Sequence, residues 1–323
     1  MESLLNFRVQ DMQSYMAMTK QLIESELVTL LAKTSERDLH PYLAYTLLSQ
    51  GKRLRPILVL LCAQSVGGNP KEALKLALSF ELLHTATLVH DDIIDDDKLR
   101  RGDKALHIKW SLDKAILVGD ALIALSVNLA ADYGGKLMKI LSNAGLELCA
   151  GELLDVSLSL KDATEKEYFL KIKKKSASLF RAAAYCGALV AKGKPSEVKA
   201  LADFGEHFGI AYQIYDDVKD VTSRYLRDLR NGNVTLPFIK LFKRGDATTR
   251  KLLLENFGNK NVTLKVSKEI EYKMRKFGVL EYCKKKIEEQ ICKAQASLQN
   301  VRESHFKNYL LHFADYYNLL EVC

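Results

Sequence analysis

The stretch Leu82–Gly102, LLHTATLVHDDIIDDDKLRRG, joins an apolar run to five aspartates and then to two arginines. Residues four and eight apart lie above one another on a helix, so Leu83 shares a face with Asp91. The carboxylates of Asp91, Asp92 and Asp95 would repel one another unless a cation lay between them, and hard oxygen ligands suit Mg²⁺. The pattern therefore favours a metal-binding helix end, although acidic runs are also common on solvated surfaces.

A second acidic cluster of the same form ends another apolar run, GIAYQIYDDVKD at Gly209–Asp220. Its carboxylates are Asp216, Asp217 and Asp220. Two acidic helix ends facing each other across a cavity would hold several divalent ions between them. In phosphate sites Mg²⁺ bridges one or two protein carboxylates to phosphate oxygens. With two arginines just after the first cluster, the pair predicts a diphosphate site.

Five motifs in order along the chain resemble those of the trans-isoprenyl diphosphate synthases, also called polyprenyl synthetases. They are GKRLRP at 51–56, ELLHTATLVHDDIID with LRRG at 81–102, LVGD at 117–120, KSASLF at 175–180 and YQIYDDVKD at 212–220. Together they are far more specific than any one of them. The resemblance implies an all-α fold, an isoprenoid synthase-type bundle of long helices around a central cavity, with residues 1–323 forming a single domain.

Composition also favours a helical protein. The 323 residues include 48% hydrophobic and 27% charged residues, with five prolines and 17 glycines, and strand-like alternation is scarce. The longest apolar run, Ala115–Ala131, contains Asp120, Ser126 and Asn128, so it predicts a core helix and no transmembrane segment.

The balance of charge is basic, at +8 with a pI near 9.0. The basic residues are spread out apart from short clusters at Lys171–Lys175 and Lys284–Lys286, and no nucleic-acid motif accompanies them. We therefore expect no nucleic-acid partner, and a small anionic substrate explains part of the charge. Six cysteines without CxxC spacing predict reduced thiols, and the polar start MESLLNFRVQ is unlike a signal peptide, so we expect a cytoplasmic protein.

The motif GKRLRP places three cations just before Pro56, a favoured first position of a helix. Cations there oppose the helix dipole unless an anion lies among them, and the alternative is a solvated basic turn. By the resemblance, Lys52, Arg55, His84 and Arg101 bind isopentenyl diphosphate. A lone histidine in an apolar helix, however, is more often a satisfied core residue.

The resemblance assigns the allylic diphosphate to Arg100, Lys175 and Ser176, with Gln213 beside the second cluster. A solvated basic face is the alternative for the lysines around Lys175.

After the second cluster the chain departs from the family, which has a GK pair there and another in DLxxGKxTLP. Here Asn233 stands in the place of the second lysine, and Arg224 and Arg227 are the available cations near the first.

The implied reaction is a head-to-tail condensation. Metal ions act as Lewis acids on the allylic diphosphate, and the double bond of isopentenyl diphosphate attacks the resulting carbocation. The resemblance implies Mg²⁺, with three ions bound by the six aspartates of both clusters and no protein base. The residues assigned to catalysis are Asp91, Asp92, Asp95, Lys175, Asp216 and Asp217.

Product length is expected to depend on side chains below the first cluster: Leu83, Ala86 and Thr87. In the family, bulky aromatics four or five residues before the first aspartate stop short products. Small residues here therefore indicate geranylgeranyl diphosphate or longer. Alternatively these are ordinary packing residues, and a floor near Tyr133 or Leu153 sets the length.

The resemblance further implies a homodimer. Two other functions stay open at this point: a non-catalytic or regulatory prenyl synthase-like subunit, and a terpene cyclase-like or head-to-head condensing enzyme of similar fold. The intact aspartates of both clusters favour an active enzyme over a non-catalytic subunit. GKRLRP favours chain elongation over a cyclase, which has no isopentenyl diphosphate to bind.

Overall fold

The computed structural model describes residues 2–223, 226–316 and 319. Their helices are α1 (Glu2–Lys33), α2 (His40–Leu47), α3 (Leu54–Ser65), α4 (Pro70–Ile94), α5 (Leu106–Lys109), α6 (Leu112–Ala131), α7 (Gly135–Ser157), α8 (Glu165–Ile172), α9 (Ser178–Val190), α10 (Pro195–Val221), α11 (Arg227–Asn231), α12 (Leu236–Arg244), α13 (Ala247–Asn256), α14 (Leu264–Lys276), α15 (Val279–Ser297), α16 (His305–Leu311) and α17 (Phe313–Tyr316). Short 3-10 turns cover Arg37–Leu39 and Leu298–Asn300, and a π-helical turn covers Lys173–Ala177. The all-α prediction is confirmed.

Strands in the described residues are limited to a small hairpin. Strands β1 (Leu99–Arg100) and β2 (Asp103–Lys104) pair antiparallel, with Leu99 opposite Lys104. The turn between them contains Arg101 and Gly102, both with positive φ. This hairpin directly follows the first aspartate cluster.

The chain divides into two compact units. The first comprises Met1–Gly145, Ala182–Ala202 and Asn300–Leu310, and the second comprises Leu146–Arg181, Asp203–Gln299 and Leu311–Cys323. The organisation of residues 1–323 as a single domain stays a prediction.

Helix α4 carries the first aspartate cluster in the first unit. Asn69 caps its start by accepting a hydrogen bond from the Lys71 backbone N–H, and Pro70 occupies a first-turn position that needs no donor. The helix packs against α3 and α6. Between α4 and α6, the Ser126 hydroxyl donates to the Ser79 carbonyl oxygen at 2.8 Å.

Gly119 of α6 lies against His90 of α4. A Cβ atom at Gly119 would be 2.1 Å from His90 Nε2, so glycine gives the imidazole room to lie against α6. The glycine of the LVGD motif thus accommodates the residue that precedes Asp91.

Helix α6 corrects the prediction of a core helix. In its most apolar window only 33% of the helix is buried. The buried side consists mainly of small residues such as Ala115 and Gly119, and apolar side chains also cover the exposed side: Leu112, Ile116, Leu117, Ile123 and Val127. Among the described residues it is the one helix long and apolar enough to cross a membrane, which by itself is weak evidence of a span. The apolar run therefore forms both a buried side and an exposed side of α6.

In the second unit, aromatic side chains surround the part of α10 that precedes the second cluster. Phe208 contacts Phe313 and Phe180 at ring-centroid distances of 4.9 and 5.5 Å. Gly209 lies close to Ala177, where a Cβ would come within 2.8 Å of its Cα. This packing fixes α10 against the π-helical turn.

Trp110, the single tryptophan of the sequence, lies in an aromatic cluster of the first unit. Its ring meets Tyr42 and Tyr45 edge-on, each at 5.0 Å. The Tyr45 hydroxyl donates to the Lys104 carbonyl oxygen at 2.7 Å. The cluster is thereby joined to the β1–β2 hairpin.

The cysteines of the described residues are all free thiols. Cys62, Cys186 and Cys283 are buried, whereas Cys149 and Cys292 are exposed. Cys323 lies outside the described residues.

Candidate functional site

The first aspartate cluster ends α4 with carboxylates in two different environments. Asp91 and Asp95 are half-buried and one turn apart, joined by the hydrogen bond from the Asp95 N–H to the Asp91 carbonyl oxygen. Asp92 is only 3% exposed, and its burial raises the pKa of its carboxyl, with Arg100 opposing the shift. The outer two aspartates are therefore the more accessible ones.

Arg100 and Arg101 lie on the hairpin. Arg100 Nε donates to Asp92 Oδ1 at 2.7 Å, and its Nη2 contacts the same carboxylate. Burial alone would lower the pKa of Arg100, but this hydrogen-bonded carboxylate raises it. Arg101 donates to Ser49 Oγ at 3.0 Å, and its guanidinium packs on Gly51 so closely that a Cβ there would lie 2.8 Å away. Both predicted diphosphate contacts thus lie beside GKRLRP or the first cluster.

Within GKRLRP the three cations have different roles. Arg53 is buried with a left-handed backbone (φ 51°) and donates to the carbonyl oxygens of Leu47 and Ser49 at 2.7 and 2.8 Å. Its Nη1 also lies 2.6 Å from Glu81 Oε1. Lys52 is exposed and Arg55 half-buried.

Arg53 therefore fixes the segment on which the two predicted ligands of isopentenyl diphosphate lie. Sequence reasoning counted it with the anion-binding cations and did not single out Glu81. The available signal was a glutamate inside the apolar run of α4.

His84 is half-buried on α4. Burial, and then the charges of Arg55 and Arg101, hold the pKa of its imidazole well below the usual value. A neutral imidazole can donate one hydrogen bond without adding charge. The first unit thus brings the predicted residues Lys52, Arg55, His84, Arg100 and Arg101 together with the first aspartate cluster.

The second cluster, in the second unit, also has a buried middle aspartate with hydrogen-bonded partners. Asp217 is 4% exposed and accepts hydrogen bonds from Tyr168 Oη at 2.6 Å and Gln213 Nε2 at 2.8 Å. Its burial raises the pKa of its carboxyl. Ser176 Oγ donates to Gln213 Oε1 at 2.6 Å, so three predicted residues form one hydrogen-bonded chain. Asp216 is half-buried.

Asp220 accepts hydrogen bonds from two backbone N–H groups at the start of α11. Its Oδ1 accepts from Arg227 at 3.1 Å and its Oδ2 from Asp228 at 2.9 Å. Burial, and then the charges of Asp220 and Asp217, raise the pKa of Asp228 well above the usual value. Asp228 is an acidic neighbour of the cluster that sequence reasoning missed, although it lies in the DLRNGNVTLP segment.

At the position of the missing family lysine, Asn233 Nδ2 lies 3.4 Å from Asp228 Oδ1. Arg227 begins α11, and Arg224 lies outside the described residues.

Lys175 lies in the π-helical turn and contacts two acids of α7. Its Nζ is 2.6 Å from Glu152 Oε2 and 2.8 Å from Asp155 Oδ2. Lys171 Nζ donates to Asp155 Oδ1 at 2.7 Å. Burial would raise the pKa of Asp155, but the two ammonium groups outweigh it and lower the pKa. Sequence reasoning missed Glu152 and Asp155; their signal was a pair of acids three residues apart inside an apolar helix.

The predicted product-length residues differ in their surroundings. Ala86 is fully buried and lies between Ser79 and His90 on the face of α4 that contacts α6. Thr87 is half-buried, and its hydroxyl donates to the His84 carbonyl oxygen at 2.8 Å. Leu83 is 8% exposed. Thr87 and Leu83 lie nearer than Ala86 to the side of α4 that bears Asp91.

The acidic side chains fit a hydrated divalent cation better than a closed metal cage. Within residues 2–223, 226–316 and 319, no three acidic, histidine or cysteine side chains converge into a ready-made metal site. Mg²⁺ dehydrates reluctantly and takes one or two carboxylates together with substrate phosphates, so pairs such as Asp91 and Asp95 suffice. The donor set, carboxylate oxygen throughout, suits a hard cation.

Comparison with known proteins gives a consistent result. The profile of the family described as polyprenyl synthetase matches residues 36–274. A short chain isoprenyl diphosphate synthase of Methanothermobacter thermautotrophicus is 34% identical over 82% of this chain and 85% of its own length. A geranylgeranyl diphosphate synthase of Methanosarcina mazei is 33% identical over 91% and 93%. The structure of a Caulobacter crescentus polyprenyl synthase complexed with calcium and isoprenyl diphosphate superposes with a TM-score of 0.86 at 28% identity, covering 98% of this chain and 97% of the other.

Proposed function

Since the chain belongs to the polyprenyl synthetase family, we propose that it is a prenyltransferase that condenses isopentenyl diphosphate head-to-tail with an allylic diphosphate. The product is a trans-polyprenyl diphosphate. One observation carries this proposal: both family motifs have the same arrangement. In each cluster the outer aspartates are accessible, whereas the middle aspartate is buried and accepts a hydrogen bond, Asp92 from Arg100 and Asp217 from Gln213.

A divalent cation is the cofactor. The proposed ion is Mg²⁺, with three ions expected from the resemblance. All six aspartates of the two clusters remain proposed ligands, and the more accessible Asp91, Asp95, Asp216 and Asp220 are the first choice. When bound, the ions supply Lewis-acid stabilisation of the departing diphosphate. The calcium in the Caulobacter crescentus complex supports the use of a divalent ion.

The isopentenyl diphosphate is bound by Lys52, Arg55 and Arg101, with neutral His84 as a hydrogen-bond donor. A cationic surface with a neutral donor neutralises a diphosphate without protonating it. The Arg53–Glu81 ion pair holds the segment that carries Lys52 and Arg55.

Arg100, Lys175 and Ser176 contact the allylic diphosphate. Asp92 orients Arg100, and Glu152 and Asp155 orient Lys175 until a more strongly anionic substrate competes for its ammonium group. No protein group is assigned as a base, because the departing diphosphate accepts the final proton.

The product is geranylgeranyl diphosphate or a longer chain. Neither Thr87 nor Ala86, four and five residues before Asp91, is a bulky aromatic, and the relatives include geranylgeranyl synthases.

We further propose a cytoplasmic homodimer. The exposed apolar side of α6, which includes Ile116, Ile123 and Val127, is the surface that a second copy would cover. Light scattering coupled to size-exclusion chromatography tests the dimer, since Ile123→Asp should convert it to a monomer.

The deciding experiment is incorporation of radiolabelled isopentenyl diphosphate by the purified chain alone, with Mg²⁺ and a set of allylic primers. Chromatographic separation of the labelled products by chain length identifies the length of the product. A well-folded chain that incorporates no label with any primer would instead be a non-catalytic subunit.

A further inference from the structure

The excess positive charge of the sequence is concentrated near its C-terminal end. Between Arg250 and Lys293 there are twelve basic residues and six glutamates, a difference of +6 out of +8 for the whole chain. This segment contains most of α13 and α15 and all of α14. None of its residues belongs to the proposed substrate site.

Helix α14 arranges this charge as a stripe. Lys265, Lys268, Tyr272 and Lys276 follow one another at spacings of three and four, so they lie on one face of the helix. All four are exposed, Tyr272 by 64%. The opposite face is buried through Ser267, Ile270 and Met274. We call the four exposed residues the α14 stripe.

The acidic neighbours on the helix do not neutralise the stripe. Glu269 lies 3.9 Å from Lys273, and Glu271 lies 3.0 Å from Arg275, both outside the stripe. In the part of the chain that the structure describes, Lys265 and Lys268 have no acidic partner. Like charges at these spacings destabilise a helix. The unbalanced stripe is therefore suited to an external anionic surface.

We propose that the α14 stripe docks the protein on the surface of an anionic lipid bilayer. Lysines of a surface helix are attracted to anionic headgroups, and a tyrosine among them suits the boundary between headgroups and acyl chains. Leu264, 44% exposed, lies beside the stripe and adds apolar contact. A nucleic acid would also attract the lysines but gives no comparable role to the exposed Leu264.

Docking of this kind is consistent with the proposed function, on which its biological purpose rests. A polyprenyl diphosphate has a long apolar tail and an anionic head, so a bilayer is where such a product is soluble. A synthase bound at the surface would release it next to the bilayer. The physical binding itself requires no catalysis.

The test is co-sedimentation of the full chain with vesicles, without substrates. Vesicles of phosphatidylcholine alone are compared with vesicles that also contain phosphatidylglycerol, at low and high salt. We expect sedimentation only with the anionic vesicles, weakening as salt rises. The variant Lys265→Gln/Lys268→Gln should lose about 25-fold in partitioning, because each lysine near an anionic surface contributes about fivefold.

A matched control removes the same charge elsewhere. Lys71→Gln/Lys199→Gln changes two exposed lysines of the first unit and should retain nearly all binding. Tyr272→Ser should reduce the binding that remains at high salt. Circular dichroism verifies that each variant is folded.

Three results would overturn the proposal: equal sedimentation with neutral vesicles, equal loss in the two double variants, or no vesicle binding while a DNA duplex binds through the stripe. Incorporation of isopentenyl diphosphate is measured separately on the same preparations. A wild-type chain that is fully active but does not bind anionic vesicles rejects the docking alone, and a wild-type chain that binds them but is inactive rejects the proposed reaction alone.

Discussion

The guanidinium of Arg53 and the carboxylate of Glu81 form a buried ion pair, with Nη1 2.6 Å from Oε1 and both side chains at most 2% exposed. The pair joins the segment before α3 to the middle of α4. Because Lys52 lies in this segment, Arg55 in the first turn of α3 and His84 on α4, the pair is expected to set the relative position of these three proposed ligands.

Removal of Glu81 takes away the closest acidic partner of the buried Arg53 and leaves the partly exposed Glu24, whose Oε1 is 3.7 Å from Arg53 Nε. Glu81→Ala is therefore expected to lower the free energy of unfolding by about 3–5 kcal/mol, measured by urea denaturation. If the variant folds, the KM for isopentenyl diphosphate should rise more than kcat falls. Glu72→Ala, at an exposed position on the same helix, is the control. A stability loss no larger than that of the control would show that the pair contributes little.

The outer and middle aspartates should differ in kinetics. Asp91→Ala is expected to reduce Mg²⁺-dependent condensation to below about 1% of wild type, as would chelation of the metal, because charge stabilisation of the leaving group is lost. Asp162→Ala, at an exposed position far along the sequence, should keep full activity. An Asp91 variant with wild-type turnover would refute the metal assignment.

Asp92→Asn removes the closest charged partner of Arg100 and leaves the more distant Asp97, whose Oδ2 is 3.7 Å from Arg100 Nη2. We expect the KM for the allylic primer to increase more than that for isopentenyl diphosphate, since only Arg100 is held by this carboxylate. Steady-state kinetics with each substrate varied in turn measures the difference. Equal effects on both substrates would argue against an orienting role for Asp92.

Product length gives a further test. Thr87→Phe is expected to shorten the product with little change in melting temperature, because the position is half-buried. Ala86→Phe should shorten it too, but overpacking against α6 is expected to cost about 1–3 kcal/mol of stability in addition. Chromatography of the labelled products decides, and an unchanged length in both variants would exclude this part of α4 as the ruler.

Glu197 and Arg302 provide a test by pH. The hydrogen bond from Arg302 Nε at 2.6 Å helps to lower the pKa of Glu197 from 4.5 to about 2. A depressed folded-state pKa stabilises the protein above the unfolded value, and the contribution disappears as pH falls from 4.5 towards 2. Glu197→Gln is expected to cost about 1–3 kcal/mol at pH 7, allowing for the half-exposed arginine, and progressively less below pH 4.5. Thermal unfolding across this range measures it. A constant difference between wild type and variant would contradict the linkage.

The sequence predicts the helical fold and the residues of the aspartate clusters because these depend on local pattern: helical spacing and carboxylate chemistry. The sequence does not predict that Asp92 is buried and Asp91 accessible, because this depends on where the hairpin places Arg100. Nor does it predict that Arg53 differs from Lys52, since a left-handed backbone and a distant partner, Glu81, decide that role.

The exposed side of α6 illustrates the same limit. An apolar run has the same sequence pattern whether its side chains are covered by the rest of the chain or by another molecule. Glu152 and Asp155 were missed because their partner, Lys175, lies in the π-helical turn, about twenty residues further along the sequence. No motif next to the two acids points to this contact.

Trp110 is placed so that its fluorescence would respond to movement of the β1–β2 hairpin. Tyr45 contacts its indole and, through its hydroxyl, holds Lys104 of the hairpin on which Arg100 and Arg101 lie. Any shift of that hairpin on diphosphate binding changes the surroundings of the one indole in the sequence. Intrinsic fluorescence of the unlabelled protein would therefore follow such a shift in real time, before any bond is made.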